Sequence, residues 1–225
     1  MQDTSVARQG GFMASNHESQ EQQIIYRPFV PTDFDQICSL VARVWHADGS
    51  YEESFLSGHI DASYFLSVSK FLYVAEKNGA VVGLIFAGDG VAYPENKSWR
   101  IIEVSAQDVA DTETESDYFQ LGAQYIQTEA ELIDAFRNSD DPRSTWEVTL
   151  LCIDPHEQGK GIGGRLFALA IDYFKTQHAS GFFLATDDSC DVNFYDYKGL
   201  EQISSADVFP DQDNSVSAYI YAMEL

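Results

Sequence analysis

The 225-residue chain sets 36 acidic against 13 basic side chains, a formal charge of −23, with 44% hydrophobic and 13% aromatic residues. That balance suits one globular domain with a substantial core, and a surface so negative disfavours nucleic acid and anionic membranes as partners. No apolar run reaches the ~18 residues of a membrane span, no signal-peptide pattern opens the chain, and three scattered cysteines, Cys38, Cys152 and Cys190, argue for a reducing, cytoplasmic setting over a disulfide scaffold.

Residues 1–23 are polar, rich in Gln and Ser, and lack an apolar period, which predicts a disordered tail or a leader ahead of Met13. The rest, 24–225, is expected to be a single domain. Residues 24–30 form a strand. Pro31-Thr-Asp then opens a helix, with Thr32 or Asp33 as its cap and Ile37, Leu40, Val41 and Val44 at helical spacing. A second helix spans about 51–69, carrying Phe55, Leu56, His59, Ile60 and Tyr64. Strands at 71–77 and 80–86 flank Asn78-Gly79, the strongest two-residue hairpin signal.

About 57 residues then separate Gly88 from Trp146. They hold an acidic stretch at 108–117, a helical run marked by Tyr118, Leu121, Tyr125, Leu132, Ile133 and Phe136, and a polar stop at 138–142. A structureless loop of that length is uncommon in a compact domain, so at least one docked helix is expected at about 89–145.

Residues 146–166 read WEVTLLCIDPHEQGKGIGGRL: a strand, a short turn, a glycine-rich loop and a helix. Glycines let a backbone approach a ligand, and the free N–H groups and dipole of a helix start favour phosphate. The P-loop pattern is absent, for no lysine is followed at the required place by Ser or Thr. A dinucleotide fingerprint, G-x-G-x-x-G, matches at Gly159, Gly161 and Gly164. Its context is wrong, because the turn at 154–158 intervenes after the strand and the loop sits late in the chain. A third pattern, [QR]-x-x-G-x-[GA], matches at Gln158, Gly161 and Gly163 behind Ile-Asp-Pro.

The helix after the loop places Ile162, Leu166, Leu169 and Tyr173 on one stripe. A strand at 181–186 follows, then DSCDVNFYDYKGL at 188–200, with Phe194-Tyr195-Asp196 and Gly199-Leu200. Two strands, at 200–204 and 215–225, close the chain around a turn at 211–214.

The third loop pattern, with the Phe-Tyr-Asp segment about 37 residues beyond Gln158, resembles the GNAT superfamily of N-acetyltransferases. The family segment ends in Gly-Phe where this chain has Gly199-Leu200. The resemblance covers roughly 24–88 and 146–225. It implies a mixed α/β fold, a mostly antiparallel sheet flanked by helices, interrupted here by a helical insertion before the cofactor strand. It implies acetyl-CoA as co-substrate, with its pyrophosphate on Gln158, Gly159, Lys160, Gly161, Ile162, Gly163 and Gly164. By the same resemblance the strand splays from its neighbour at Leu151, Cys152 and Ile153, whose free backbone groups pair with the pantetheine arm, and Asn193 steadies that arm.

Acyl transfer to an amine needs an oxyanion donor and proton management. Tyr195 is the candidate acid for the departing thiolate, with Tyr197 as its rival. A primary amine has a pKa near 10 and arrives protonated. Glu147, eleven residues before Gln158, stands at the offset of the catalytic glutamate in the histone acetyltransferases of the superfamily, and is the candidate base. The histidines His46, His59, His156 and His178 are scattered and predict no metal site. Cys190, at a helix start without a histidine partner, is read as structural. The acceptor is expected to be a small-molecule or peptide amine, cationic if the acidic surface draws it in. The insertion is a substrate-site lid, a homodimer contact or side packing. A non-catalytic acyl-CoA-binding regulatory module is the alternative reading, and a nucleotide-dependent oxidoreductase is the third.

Overall fold

In the computed structural model, residues 23–90, 117–209 and 216–225 are described. Seven strands and five helices follow one another along them. The strands are β1 (Ile25–Pro28), β2 (Phe71–Lys77), β3 (Ala80–Gly88), β4 (Glu147–Ile153), β5 (Gly181–Asp187), β6 (Glu201–Asp207) and β7 (Ser217–Glu224). The helices are α1 (Phe34–Trp45) and α2 (Tyr51–Val68) before β2, α3 (Asp117–Arg137) before β4, α4 (Ile162–Thr176) before β5 and α5 (Val192–Lys198) before β6. The sheet order is β1-β2-β3-β4-β5-β7-β6. All neighbours are antiparallel except β4 and β5. This is the mixed, mostly antiparallel sheet flanked by helices that the sequence predicts.

Turn chemistry fixes the register of the first hairpin. Asn78 and Gly79 have φ of 54° and 81°, the pair of positive values a two-residue turn of this hand requires. The strands then alternate between two apolar layers. On one face Ile37, Leu40 and Val41 of α1 and Leu66 of α2 pack on Leu84, Phe86 and Leu150. On the other, Leu166, Phe167, Ala170 and Phe174 of α4 pack on Ile85, Val148, Phe182 and Leu184. Phe183, one residue out of phase with Phe182, points away from α4 and meets Phe136 of α3 with ring centroids 5.1 Å apart. The inserted helix therefore docks on the α1/α2 face, over β5 and β7, where Phe136, Phe183, Ile220 and Ala222 form a third apolar cluster.

Several local expectations change. Asp33 stands at the cap of α1, as expected, but its side chain makes no bond to that helix. Residues Pro31–Asp33 form a 3-10 turn ahead of it, and the buried Asp33 carboxylate accepts from Val30 N at 2.9 Å and from Arg27 at 2.7 and 2.8 Å. The buried carboxylate is thus satisfied by the Arg27 cation and by the N–H at the start of the 3-10 turn, which leaves it none of its bonds for α1. The α4 stripe is rotated: Leu169 and Tyr173 are only half-buried, whereas Phe167, Ala170 and Phe174 lie inside, because the helix faces the aromatic side of β5. The strand expected at 200–204 is β6, Glu201–Asp207. Cys190 precedes α5, and Asp191 is the residue at its cap. The tail at 1–22, most of the acidic stretch (108–116) and the turn at 211–214 lie outside the described residues. Among the described residues no helix is long and apolar enough to cross a membrane.

Candidate active site

β4 and β5 begin as neighbours and then part. Their parallel ladder has one registered pair, Glu147 with Phe183, reinforced by Phe183 N donating to Trp146 O at 2.9 Å. Beyond it, β4 stays paired with β3: Leu150 opposite Phe86, Leu151 opposite Ile85, Cys152 opposite Leu84 and Ile153 opposite Gly83. The register shifts between Phe86 and Ala87, leaving Thr149 as the extra residue of a bulge, which twists and bends a strand. Leu151, Cys152 and Ile153 thus present an edge towards β5 that no registered partner there uses. A strand edge in that condition is a template for an extended, amide-bearing ligand.

The glycine loop stands at the end of that edge. Asp154 accepts from His156 N at 3.0 Å and from Arg43 at 2.9 Å, which fixes the turn Pro155–Glu157. Lys77 clamps Glu157 at 2.8 Å. Gln158 is extended, Gly159 and Gly161 take φ of 73° and 81°, and α4 starts at Ile162 with Gly161 at its cap. A β-carbon at Gly159 or Gly161 would touch nothing within 4 Å, so these glycines serve the backbone turn and leave open space over it. The first N–H groups of α4 have no intrahelical acceptor, the condition under which a helix start suits an anion. Lys160 is turned back on the loop, donating to His156 O at 2.7 Å and lying 3.1 Å from Glu157. Lys198, which sequence reading did not single out, stands at the first turn of α4: a β-carbon on Gly164 would lie 3.4 Å from its Nζ.

Tyr195 lies on α5. Its ring packs on Phe194, Tyr221 and Phe167 at 5.4, 5.8 and 6.4 Å. Burial, the nearby Cys190 and the carboxylates Asp187 and Asp191 push its hydroxyl up, against a hydrogen bond with Thr186 that favours ionisation. The phenol keeps its proton at neutral pH. Tyr197 is 86% exposed on α5, and Asn193 is exposed on its first turn. The Cys190 and Cys152 thiols are pushed up by burial, so neither is poised as a nucleophile.

Glu147 is buried, and Arg137 at the end of α3 holds it: Nη2 lies 2.5 Å from its carboxylate. The same guanidinium donates to Asp89 O at 2.8 Å and sits 5.0 Å over the Phe183 ring. Burial raises the Glu147 carboxyl and Arg137 opposes the rise. Further carboxylates gather on this side. Asp187, at the end of β5, accepts from the Tyr125 hydroxyl at 2.6 Å and from Ser189 N at 2.7 Å. Asp61 of α2 pairs with His46 at 2.8 Å. Glu129 of α3 is pushed up to about 7 by burial and by Glu147, Asp187 and Asp61, an effect that the neighbouring Tyr125 hydroxyl opposes. Neither Arg137 nor Glu129 was singled out from the sequence. Their helical offset from Tyr125 was readable; what that face meets was not. Among the described residues no group of three or more His, Cys, Asp or Glu is disposed to hold a metal ion.

Residues 34–200 match the model of the acetyltransferase (GNAT) family. No curated protein matches the chain by sequence. Among solved structures, the chain is similar to a Drosophila melanogaster polyamine N-acetyltransferase that forms N-acetylagmatine, at 12% identity and a TM-score of 0.58 over 90% of this chain and 100% of that one. It is also similar to the ribosomal-protein-S18-alanine N-acetyltransferase of Escherichia coli, at 14% identity and a TM-score of 0.51 over 90% of this chain and 94% of that one. At such identities the likeness establishes a shared fold.

Proposed function

Because the chain belongs to the GNAT family of acetyltransferases, we propose that it moves an acetyl group from acetyl-CoA to an amine of a small molecule or peptide by direct attack, with Tyr195 as the acid. The observation that carries this reading is the parting of β4 from β5 after Glu147 and Phe183, with the glycine cradle at the end of the exposed edge. An open strand edge matches the amides of a pantetheine arm, and a helix start behind two positive-φ glycines matches a diphosphate. Gln158, Gly159, Lys160, Gly161, Ile162, Gly163 and Gly164 form the pyrophosphate loop of this reading. Lys198 adds charge beside it. Leu151, Cys152 and Ile153 lend the edge, and one of their N–H groups polarises the thioester carbonyl. Asn193 is the proposed contact to the arm from α5.

The amine nitrogen attacks the thioester carbon, and the oxyanion so formed is met by a β4 N–H. Collapse breaks the carbon–sulfur bond. Tyr195 gives its proton to the thiolate and recovers one from the amide nitrogen as that nitrogen loses its charge. The carboxylates at the mouth, Glu147 among them, favour a cationic acceptor. Thermal shift with CoA and with NAD tests the cofactor assignment, since a ligand that binds only the native state raises the melting temperature. Stabilisation by CoA is expected; stabilisation by NAD and none by CoA overturns it. Binding of CoA with no transfer to any amine would favour a regulatory module.

A further inference from the structure

The inserted helix α3 packs chiefly on β6 and β7 and is tied by side chains to both of the parting strands. Tyr125, near its middle, bonds Asp187 at the end of β5, and Arg137 at its finish bonds Glu147 at the start of β4. Tyr125, Glu129, Ile133 and Arg137 recur every four residues and share one face. Ile133 on that face packs into the apolar cluster of Phe136, Phe183 and Ile220. At about 1.5 Å per residue, Glu129 stands about 6 Å along the helix from Tyr125 and about 12 Å from Arg137. Asp187 lies four residues beyond Phe183, about 13 Å along β5. Glu129 thereby lies between the two side-chain ties that join the helix to the parting strands β5 and β4.

The groups around Glu129 are overwhelmingly negative. Asp61 and Tyr64 face it from α2, Glu147 from β4 and Asp187 from β5, while β6 and β7 bring apolar Ile203, Ile220 and Ala222 to the helix. On α3 itself, Tyr125 and Asp134 share this side with it. Arg137 is the cation of the group, and Glu147 engages it. One carboxylate oxygen of Glu147, the expected base, thus accepts from a guanidinium. A carboxylate among carboxylates, between the ties to the parting strands, has the chemistry to receive an ammonium.

We propose that Glu129, supplied by the insertion, receives the ammonium of the acceptor and accepts its proton before attack, while Glu147 acts as a positioning residue that holds α3 through Arg137. The proposal rests on the acetyltransferase reading above. The step balances. The ammonium gives one proton to the Glu129 carboxylate, and the neutral amine attacks the thioester carbon. The carbon–sulfur bond breaks, and Tyr195 protonates the thiolate and is reprotonated from the amide nitrogen. Glu129 then releases its proton to water, for a net yield of amide, thiol and one proton. A raised carboxyl pKa near neutrality suits this task, being the compromise between correct ionisation and basicity.

The test is a thiol-release assay with acetyl-CoA on the full chain, across an amine panel that includes 1,4-diaminobutane and a lysine-terminated peptide, from pH 5.5 to 10. Wild-type kcat/KM is expected to rise through about 7, as Glu129 ionises. Glu129→Gln should lower kcat/KM at pH 7 by at least tenfold and lose that limb. Its rate should instead climb towards pH 10, where the free amine deprotonates itself. Glu129→Asp should restore part of the limb, and CoA affinity and far-UV circular dichroism should be unchanged in both. Glu147→Gln should keep a limb, moved to lower pH because the Glu147 charge helps to raise Glu129, even if its rate falls. A Glu129→Gln profile that retains the limb, or a Glu147→Gln profile that loses it, overturns the proposal. A wild type that binds CoA but transfers acetyl to no amine fails the acetyltransferase reading itself, and Glu129 with it.

Discussion

The Arg137 guanidinium and the Glu147 carboxylate meet at 2.5 Å, joining the end of the inserted helix to the start of the strand that carries the acyl-binding edge. Both are largely buried, at 22% and 10% side-chain exposure. Removing one partner of such a pair strands the other. Arg137→Met should destabilise the fold by about 3 kcal/mol, the lower end for breaking a buried pair. The double variant with Glu147→Gln should recover part of that loss. Urea unfolding of the four proteins of this cycle measures it, and additive losses would show that the pair is not coupled.

Gly161 should tolerate substitution less well than Gly163. Gly161 has φ of 81°, in the left-handed region, whereas Gly163 lies inside α4 with Ile153 at ordinary contact, 3.6 Å from a built β-carbon. Gly161→Ala is expected to cost about 1 kcal/mol from backbone strain alone. Gly163→Ala should leave stability within about 0.5 kcal/mol. Gly161→Asp and Gly163→Asp should both abolish CoA binding by calorimetry, because each sets a carboxylate where the diphosphate is proposed to sit.

Tyr195→Phe should lower turnover by roughly 10²-fold, the lower end for general acid–base catalysis, with CoA affinity unchanged. The ring contacts to Phe167, Phe194 and Tyr221 survive the change. Tyr197→Phe should turn over like wild type, since Tyr197 is 86% exposed. The reverse pattern would transfer the acid role to Tyr197.

Stability should respond to pH in opposite senses at two carboxyls. The Asp33 carboxyl is buried, which alone would raise it, yet its hydrogen bonds from Arg27 and Val30 N hold it below its ordinary value. Its contribution is present above the unfolded pKa near 4 and is lost as pH falls through the lower folded value. Glu129 is raised to about 7, so the folded state keeps a proton that the unfolded chain releases near 4.5. Its contribution is fully present below that lower value and is lost as pH rises to about 7. The melting temperature of Glu129→Gln minus that of wild type should therefore grow between these limits. A flat difference would contradict the raised carboxyl.

Much of this was readable because local rules and packing agree. Asn78-Gly79 carries its turn type in its identity, and the loop at 158–164 has Gly159 and Gly161 where φ turns positive. Other features were not readable, because they depend on which surface an element meets. The period of α4 is plain, but which side faces the aromatic Phe182 is not, and so Phe174 replaces Tyr173 in the core. The helix in the insertion was legible, whereas its seat on Phe183 and Ile220 was not. That seat alters a natural experiment. Replacing 89–145 by a short turn would expose Phe183 and Ile220, which are fully buried, so loss of stability would accompany any change in acceptor choice. Single substitutions at Glu129 avoid this.

Salt reports on the acceptor independently of mutation. Exposed charges are screened beyond about 8–10 Å at physiological ionic strength. KM for 1,4-diaminobutane should rise with added salt while the dissociation constant for an uncharged pantetheine fragment stays level. Equal KM at low and high salt would remove the electrostatic account of acceptor preference.

The most direct measurement is steady-state thiol release from acetyl-CoA with and without an amine acceptor, with the acetylated product identified by mass. Amine-dependent release of one thiol per acetyl amide formed, abolished in Gly161→Asp and reduced roughly 10²-fold in Tyr195→Phe, is the expected result. Release that is independent of every amine offered, or transfer that survives Gly161→Asp, would contradict the account.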